Sequence, residues 1–350
     1  MKPIKVNADY EITLFENKSA PKLINQSLEF LALYLENRPL VTDKHYTQNF
    51  LDHVTRISGS VPSFSAEKDF ENWWGSLKNI PLEKKLNSKE FSARFTPGVQ
   101  IISHVSDLQL GEGQTYLAKN PYGMSGQNFL KFIKNQETEL LPLLKKSKRL
   151  LVEPFLDRKK DFSHYVFSDG TFIAYENLVD HHFQYKGTIF RNLHAPSLES
   201  LSFYHEIDKS EWDQFETEFN SIREAMKREG ATGGYSVDSF TFFEEGKLKI
   251  RTCSEINYRK TMGLVAWLLS KKYANNGDST MLLLGQSLKV SGSFELIEEK
   301  IKKIEGCLQL SPGDTRFEIF FIAASDFQKA KSKFQELKNL LPDGQFSVEI

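Results

Sequence analysis

The spacing of apolar residues along this chain changes several times, and each change marks a predicted element. Leu23, Ile24, Leu28, Leu31 and Leu35 recur at helical intervals and predict an amphipathic helix over 21–36. A short strand follows at Pro39-Leu40-Val41-Thr42, then a helix over 46–57 that stops at Gly59. Residues 61–90, with Pro62, Trp73, Trp74 and Pro81, keep no period and read as a connection, the tryptophan pair as packing. From Val99 the pattern is strand-like: 99–103 and 115–119 flank a loop with Gly111 and Gly113. A helix is predicted after Gly126, with Phe129, Leu130 and Ile133 on one face, and 150–156 reads as a buried strand.

Alternation of period two then predicts antiparallel strands at 162–167, 171–178 and 183–190, the first two around Ser168-Asp169-Gly170. A helix over 209–229 ends at Gly230. Strands at 235–244 and 247–257 are joined by Glu244-Glu245-Gly246-Lys247, and a helix over 261–273 closes behind them. The tail predicts a strand at 316–324, a helix over 326–341 and a last strand at 346–350. This order describes an α+β chain with antiparallel sheets, not a doubly wound one.

Composition narrows the picture. The 350 residues can bury a large core in two or three packed units. With 45 basic and 46 acidic residues the net charge is -1, which gives no global footprint for nucleic acid. Cys253 and Cys307 are too few for a disulfide scaffold or a cysteine-rich metal site and fit a reducing, cytoplasmic setting. Met1 to Asn7 lacks an apolar signal core, and no run approaches the roughly 20 apolar residues of a membrane span.

The densest chemistry lies in Gly233-Gly234-Tyr235-Ser236-Val237-Asp238 and in Glu255-Ile256-Asn257-Tyr258-Arg259. On a strand, Glu255, Asn257 and Arg259 share a face, and Asp238 comes from the neighbouring strand. Hard oxygen ligands beside a fixed cation suit a magnesium-nucleotide site, because magnesium takes few protein oxygens and completes its shell with phosphate and water. Lys119-Asn120-Pro121-Tyr122-Gly123-Met124-Ser125-Gly126 adds a lysine at a strand end and a glycine-containing loop whose amides could close on phosphate. A P-loop is absent, since Gly246-Lys247 precedes Leu248. Gly111-x-Gly113 and Asp161-Phe162-Ser163 lack the His-Arg-Asp loop that a protein kinase requires between them.

Over 87–272 the order of these motifs resembles the ATP-grasp superfamily, in which two α+β subdomains hold ATP between them. The resemblance implies an N-terminal α/β unit at 1–90, an ATP-grasp domain at 91–285 (91–156 and 157–285), and a C-terminal α+β extension at 286–350. It implies ATP contacts from Lys89, Lys119, Gly123, Ser125 and Gly126, and an adenine-facing hinge at Glu153, Phe155 and Leu156. It implies a ribose acid at Asp161, for which Asp157 competes, and metal ligation by Asp238, Glu255 and Asn257. Arg259 would stabilise the carboxylate or acyl-phosphate end, and Arg191 and His182 would touch substrate. Cys253, two residues before Glu255, reads as a small buried residue bordering the site.

The activity implied is a magnesium-dependent ligase, manganese being an alternative ion, that activates a carboxylate with ATP and joins it to an amine. Its partners would be ATP and small-molecule or peptide substrates, with neither nucleic acid nor membrane, and homo-oligomerisation is left open. A phosphotransferase and a non-catalytic nucleotide-binding or assembly protein on the same scaffold are the competing readings.

Overall fold

The computed structural model describes residues 1–16, 22–122, 129–286, 294–341, 345–348 and 350. The N-terminal unit runs β1 (Ile4–Lys5), α1 (Tyr10–Glu16), α2 (Lys22–Leu28), α3 (Leu31–Leu35), β2 (Leu40–Val41), α4 (Gln48–Ser58), β3 (Phe64–Ser65), β4 (Glu71–Asn72), α5 (Ile80–Leu86) and α6 (Lys89–Ala93). Its four strands pair in parallel in the order β3-β2-β1-β4. Next come β5 (Gln100–Ile102), β6 (Thr115–Lys119), β7 (Phe129–Ile133), α7 (Leu141–Ser147) and β8 (Leu150–Pro154), an antiparallel sheet of order β5-β8-β6-β7.

The remainder builds one eight-stranded antiparallel sheet, ordered β13-β12-β9-β10-β11-β14-β16-β15. Its elements are β9 (Arg158–Val166), β10 (Phe172–Val179), β11 (Tyr185–Phe190), α8 (Lys209–Arg228), β12 (Tyr235–Glu244), β13 (Lys247–Asn257), α9 (Met262–Tyr273), β14 (Ser279–Gln286), α10 (Phe294–Ile301), β15 (Cys307–Gln309), β16 (Phe317–Ala324) and α11 (Phe327–Leu340). The β12–β13 hairpin matches its predicted bounds because a two-residue turn closes it: Glu245 and Gly246 both have positive φ, 49° and 79°. Helix α4 likewise ends where Gly59 takes the left-handed conformation, φ 71°, and its Thr47 cap accepts from Phe50 N–H.

Several expectations are corrected. The helix over 21–36 is two helices, broken at Glu29-Phe30, where buried Glu29 turns inward to accept hydrogen bonds from Thr42 and Tyr46. The segment after Gly126 is strand β7, not helix. Phe129–Ile133 pairs with all of β6, and that partner decides between two states its short apolar run permits equally. The connection at 61–90 holds two strands and two helices. The described part of 346–350 is not a strand; Phe346 and Val348 pack into the C-terminal core instead. The separate extension expected at 286–350 contributes β15 and β16 to the large sheet, where β16 pairs with β14 from Ser279↔Ala324 to Gln286↔Phe317.

The two faces of the large sheet carry different cores. On one, α8 lays Trp212, Phe215, Phe219, Ile222 and Met226 against Phe162, Val166 and Val237; each such burial stabilises by roughly 1.5–3 kcal/mol. His164 points into the same layer, its ring centroid 5.1 Å from that of Phe215 and 4.9 Å from that of Phe219. On the other face α9 packs Leu264, Val265 and Leu269 against both the sheet and Phe30, Tyr34 and Phe50 of the N-terminal unit. That unit is thereby held over the carboxyl end of β13. Gly263 is required in this contact, since a Cβ there would lie 2.1 Å from the Tyr175 ring.

Candidate functional site

Strands β12 and β13 set Asp238 directly opposite Glu255 and Ser236 opposite Asn257. On β9 and β10 the period of two turns Ser163 and Asn177 to the same face, away from α8. Ser163 Oγ donates to Asp238 Oδ1 (2.7 Å) and accepts from Asn177 Nδ2 (2.6 Å). Asn257 Nδ2 donates to Asp238 Oδ2 (2.9 Å), while its Oδ1 accepts from Arg259 Nη2 (2.9 Å). Burial, reinforced by the charge of Glu255, pushes the Asp238 carboxyl up to about 6.

Cations surround this pair. Asn87 Oδ1 accepts from Tyr258 N–H (2.8 Å) and Ser88 caps α6, so the turn before Lys89 is tied to the end of β13. Lys89 Nζ then donates to Glu255 Oε1 at 2.8 Å. Burial alone would raise Glu255, but the charge and hydrogen bond of Lys89, with Arg259 beyond, hold it below the usual glutamate range. Lys119, at the end of β6, pairs with Glu153 on β8. Burial nonetheless holds Lys119 below the ordinary lysine value, only partly offset by Glu153. Arg259 donates from Nε and Nη2 to Glu11 Oε1 (2.8 and 2.6 Å), a carboxylate brought by α1 from the opposite end of the chain.

Two chambers meet at the carboxylates. The smaller, of about 150 Å³, lies between the small and large sheets and is walled by Lys89, Lys119, Phe129, Arg158, Asp161 and Phe183. The larger, of about 540 Å³, opens between the N-terminal unit, α9 and the large sheet. Asn177, Tyr185, Asp238 and Glu255 line both. Glu153, Phe155 and Leu156 wall a small recess of about 20 Å³ that shares Leu117, Arg158, Phe183 and Ser254 with the smaller chamber.

Lys89, Lys119, Asp161, Asp238, Glu255, Asn257 and Arg259 are thus brought around one continuous space, with Asp161 ion-paired to Arg158 at 3.0 Å. Gly123, Ser125 and Gly126 lie outside the described residues. Two placements are corrected. Arg191 is on the α8 side of the sheet, bonded to Glu176 (2.6 Å) and stacked over Phe327, 3.5 Å from its centroid, and lines neither chamber. Exposed His182 sits in the β10–β11 turn, its N–H donating to Asp180, and lines neither; the residues that follow it, Gln184, Tyr185 and Lys186, do. Cys253 is turned toward Ser92 of α6 by the register shift opposite Asp238/Phe240, and burial raises its thiol.

Glu11, Ser163 and Asn177 were not singled out from the sequence. Ser163 and Asn177 carried the signal of strand alternation, whereas nothing local marks Glu11. Glu11→Ala would leave the Arg259 guanidinium buried without its main partner. The expected loss is toward the low end of the roughly 3–5 kcal/mol typical of a broken buried pair, because Glu255 and Asp238 remain nearby. Guanidinium unfolding of the variant checks this.

A divalent ion fits the donor set. The Asp238 and Glu255 carboxylates lie opposite each other beside the Asn257 amide, whose Nδ2 donates to Asp238, and no group of three or more His, Cys, Asp or Glu capable of holding a metal exists among the described residues.

No family model and no curated protein matches the sequence. Solved structures do match in fold. N5-carboxyaminoimidazole synthase from Aspergillus clavatus, complexed with ADP and aminoimidazole ribonucleotide, aligns with a TM-score of 0.52 at 13% identity, covering 97% of this chain and 98% of that one. The N5-carboxyaminoimidazole synthetase of Staphylococcus aureus gives 0.51 at 12% identity, with 97% of each chain covered. Biotin carboxylase from Campylobacter jejuni gives 0.52 at 10%, covering 97% and 91%. The chain has the α+β fold of the ATP-grasp enzymes. No helix among the described residues is long and apolar enough to cross a membrane.

Proposed function

We propose that this chain is a magnesium-dependent ligase that activates a carboxylate with ATP and transfers the acyl group to an amine or similar nucleophile. The observation that carries this reading is the junction itself: Asp238, Glu255, Asn257 and Arg259 stand between a lysine-lined chamber and a larger one open to a second substrate. Lys89 and Lys119 would bind the triphosphate, with Gly123, Ser125 and Gly126 as its loop. Glu153, Phe155 and Leu156 would face adenine and Asp161 the ribose. Asp238, Glu255 and Asn257 would hold magnesium, which supplies charge neutralisation for the phosphoryl oxygens.

Arg259 would hold the substrate carboxylate in line with the γ-phosphoryl group. One carboxylate oxygen bonds to phosphorus as the bond to ADP breaks; the amine then attacks the acyl carbon and inorganic phosphate departs. Preorganised cations suffice for the first step, since phosphoryl transfer relies on positioning and charge. The neighbours include N5-carboxyaminoimidazole synthetases complexed with ADP, which supports nucleotide binding.

Thermal denaturation with millimolar ATP and magnesium tests the reading. Stabilisation of the intact protein is expected, and Lys119→Ala should weaken nucleotide affinity by about 10–100-fold, the worth of one charge-assisted hydrogen bond. Absence of stabilisation, with magnesium or manganese, would reject nucleotide binding. Stabilisation without ADP release from any acid would favour a non-catalytic nucleotide-binding protein.

A further inference from the structure

We infer that the carboxylate substrate carries an apolar body of branched-aliphatic or aromatic size, and that bicarbonate and other minimal acids are not substrates; this rests on the ligase reading above. The larger chamber combines a polar group of residues at the junction with a run of apolar wall beyond it, and Lys186 and Arg316 also line it. At the polar end stand Arg259, Asp238 and Ser236, whose Oγ is buried and without a hydrogen-bond partner among the described residues. Ser236 lies opposite Asn257 on the strand pair, so its hydroxyl is placed to bond a polar head group seated at the junction.

Beyond the junction the wall is Ile12, Ile24, Leu28, Trp74, Met262 and Leu284. Ile24 and Leu28 are one helical turn apart on α2 and share its cavity face. Of the two basic residues that also line the chamber, Lys186 is paired with Asp180 at 3.2 Å and Arg316 lies over the Phe317 ring, 5.3 Å from its centroid. The volume of about 540 Å³ falls within the roughly 300–1,000 Å³ of small-molecule pockets. An ion the size of bicarbonate would fill a small part of it, since one water occupies about 30 Å³ in the liquid. It would also leave the apolar wall facing water, whereas an apolar acyl chain removes that surface from solvent.

The test supplies ATP and magnesium with bicarbonate, acetate, 4-methylpentanoate or 3-phenylpropanoate, and hydroxylamine as nucleophile. Hydroxylamine nitrogen bonds the acyl carbon of the acyl phosphate, inorganic phosphate leaves, and the hydroxamate is measured together with ADP. Thermal shift with each acid alone is recorded in parallel. The two apolar acids should exceed acetate by at least about 100-fold in kcat/KM, since single methylenes in a fitted pocket discriminate by roughly 10–200-fold. Leu28→Trp and, as a milder filling of the same wall, Ile24→Trp should raise KM for both apolar acids at least tenfold and leave stabilisation by magnesium-ATP unchanged.

Equal or better turnover of bicarbonate or acetate would overturn the substrate class and leave the ligase reading standing. Stabilisation by the apolar acids that both tryptophan variants abolish, without ADP from any acid, would support the ligand class and reject the ligase reading. No turnover and no stabilisation by either apolar acid would overturn the inference.

Discussion

Glu255→Gln is expected to reduce ADP release by at least about 10²–10³-fold, the scale on which one preorganised electrostatic group contributes to a charged transition state. Glu255 holds two relations at once: it accepts the Lys89 hydrogen bond at 2.8 Å and lies opposite Asp238 in the hairpin register. The amide keeps the shape and one acceptor oxygen but removes the charge that Lys89 uses and that a divalent ion would use under the proposed ligase reading. Losing that charge also relieves Asp238, whose carboxyl is raised by burial first and by Glu255 second, so the remaining acid titrates lower in the variant. The variant also takes away the carboxylate charge that pairs with the Lys89 ammonium, so a loss of stability should accompany the loss of turnover. Steady-state ADP assays with matched thermal melts separate the two effects, and near-normal turnover would remove Glu255 from the proposed metal site.

The second large effect concerns acid stability. His164 is fully buried between β9 and α8, among Phe162, Phe215 and Phe219, and neither ring nitrogen has a hydrogen-bond partner among the described residues. Burial lowers its pKa from 6.5 to about 3, so the folded chain holds the neutral ring. The unfolded chain binds the proton more readily; stability attributable to this ring is therefore present above about pH 6.5 and is lost as pH falls toward 3. Between pH 7 and pH 5 that loss is about 2 kcal/mol, at 1.36 kcal/mol per pH unit below the ordinary value. His164→Leu should remove this contribution and gain about 1–3 kcal/mol at pH 7 by deleting two unsatisfied polar atoms. Guanidinium unfolding of both proteins at pH 7 and pH 5 measures the difference, and an identical pH dependence would contradict the account.

Where local chemistry was decisive, the sequence was sufficient. Glu244-Glu245-Gly246-Lys247 closes a two-residue hairpin and sets the register as far as Phe240↔Arg251, which continued would pair Asp238 with Cys253; the register shift between Asp238 and Phe240, which the turn does not encode, brings Glu255 there instead. Phe129–Ile133 shows the opposite case: five residues cannot distinguish strand from helix until β6 supplies a partner. Arg191 was misplaced for a related reason. Its neighbourhood suggested a substrate-facing loop, but its side chain reaches Glu176, which strand alternation turns toward α8 while Asn177 faces the chambers.

The sequence by itself determined the antiparallel α+β character, the β12–β13 hairpin and the presence of Asp238 on one of its strands and Glu255 and Asn257 on the other, because turn residues and two-residue periodicity act over short distances; the register shift that sets Asp238 opposite Glu255 was not legible. Only the tertiary structure decided that β15 and β16 extend the large sheet, that Asn87 fastens the Lys89 turn to Tyr258, and that Glu11 meets Arg259 across 248 positions of sequence. Those contacts depend on how the N-terminal unit packs over α9, a matter of shape and buried area summed over many residues. No local pattern encodes it, and the larger chamber, whose walls come from both sides of that packing, exists only once it has formed.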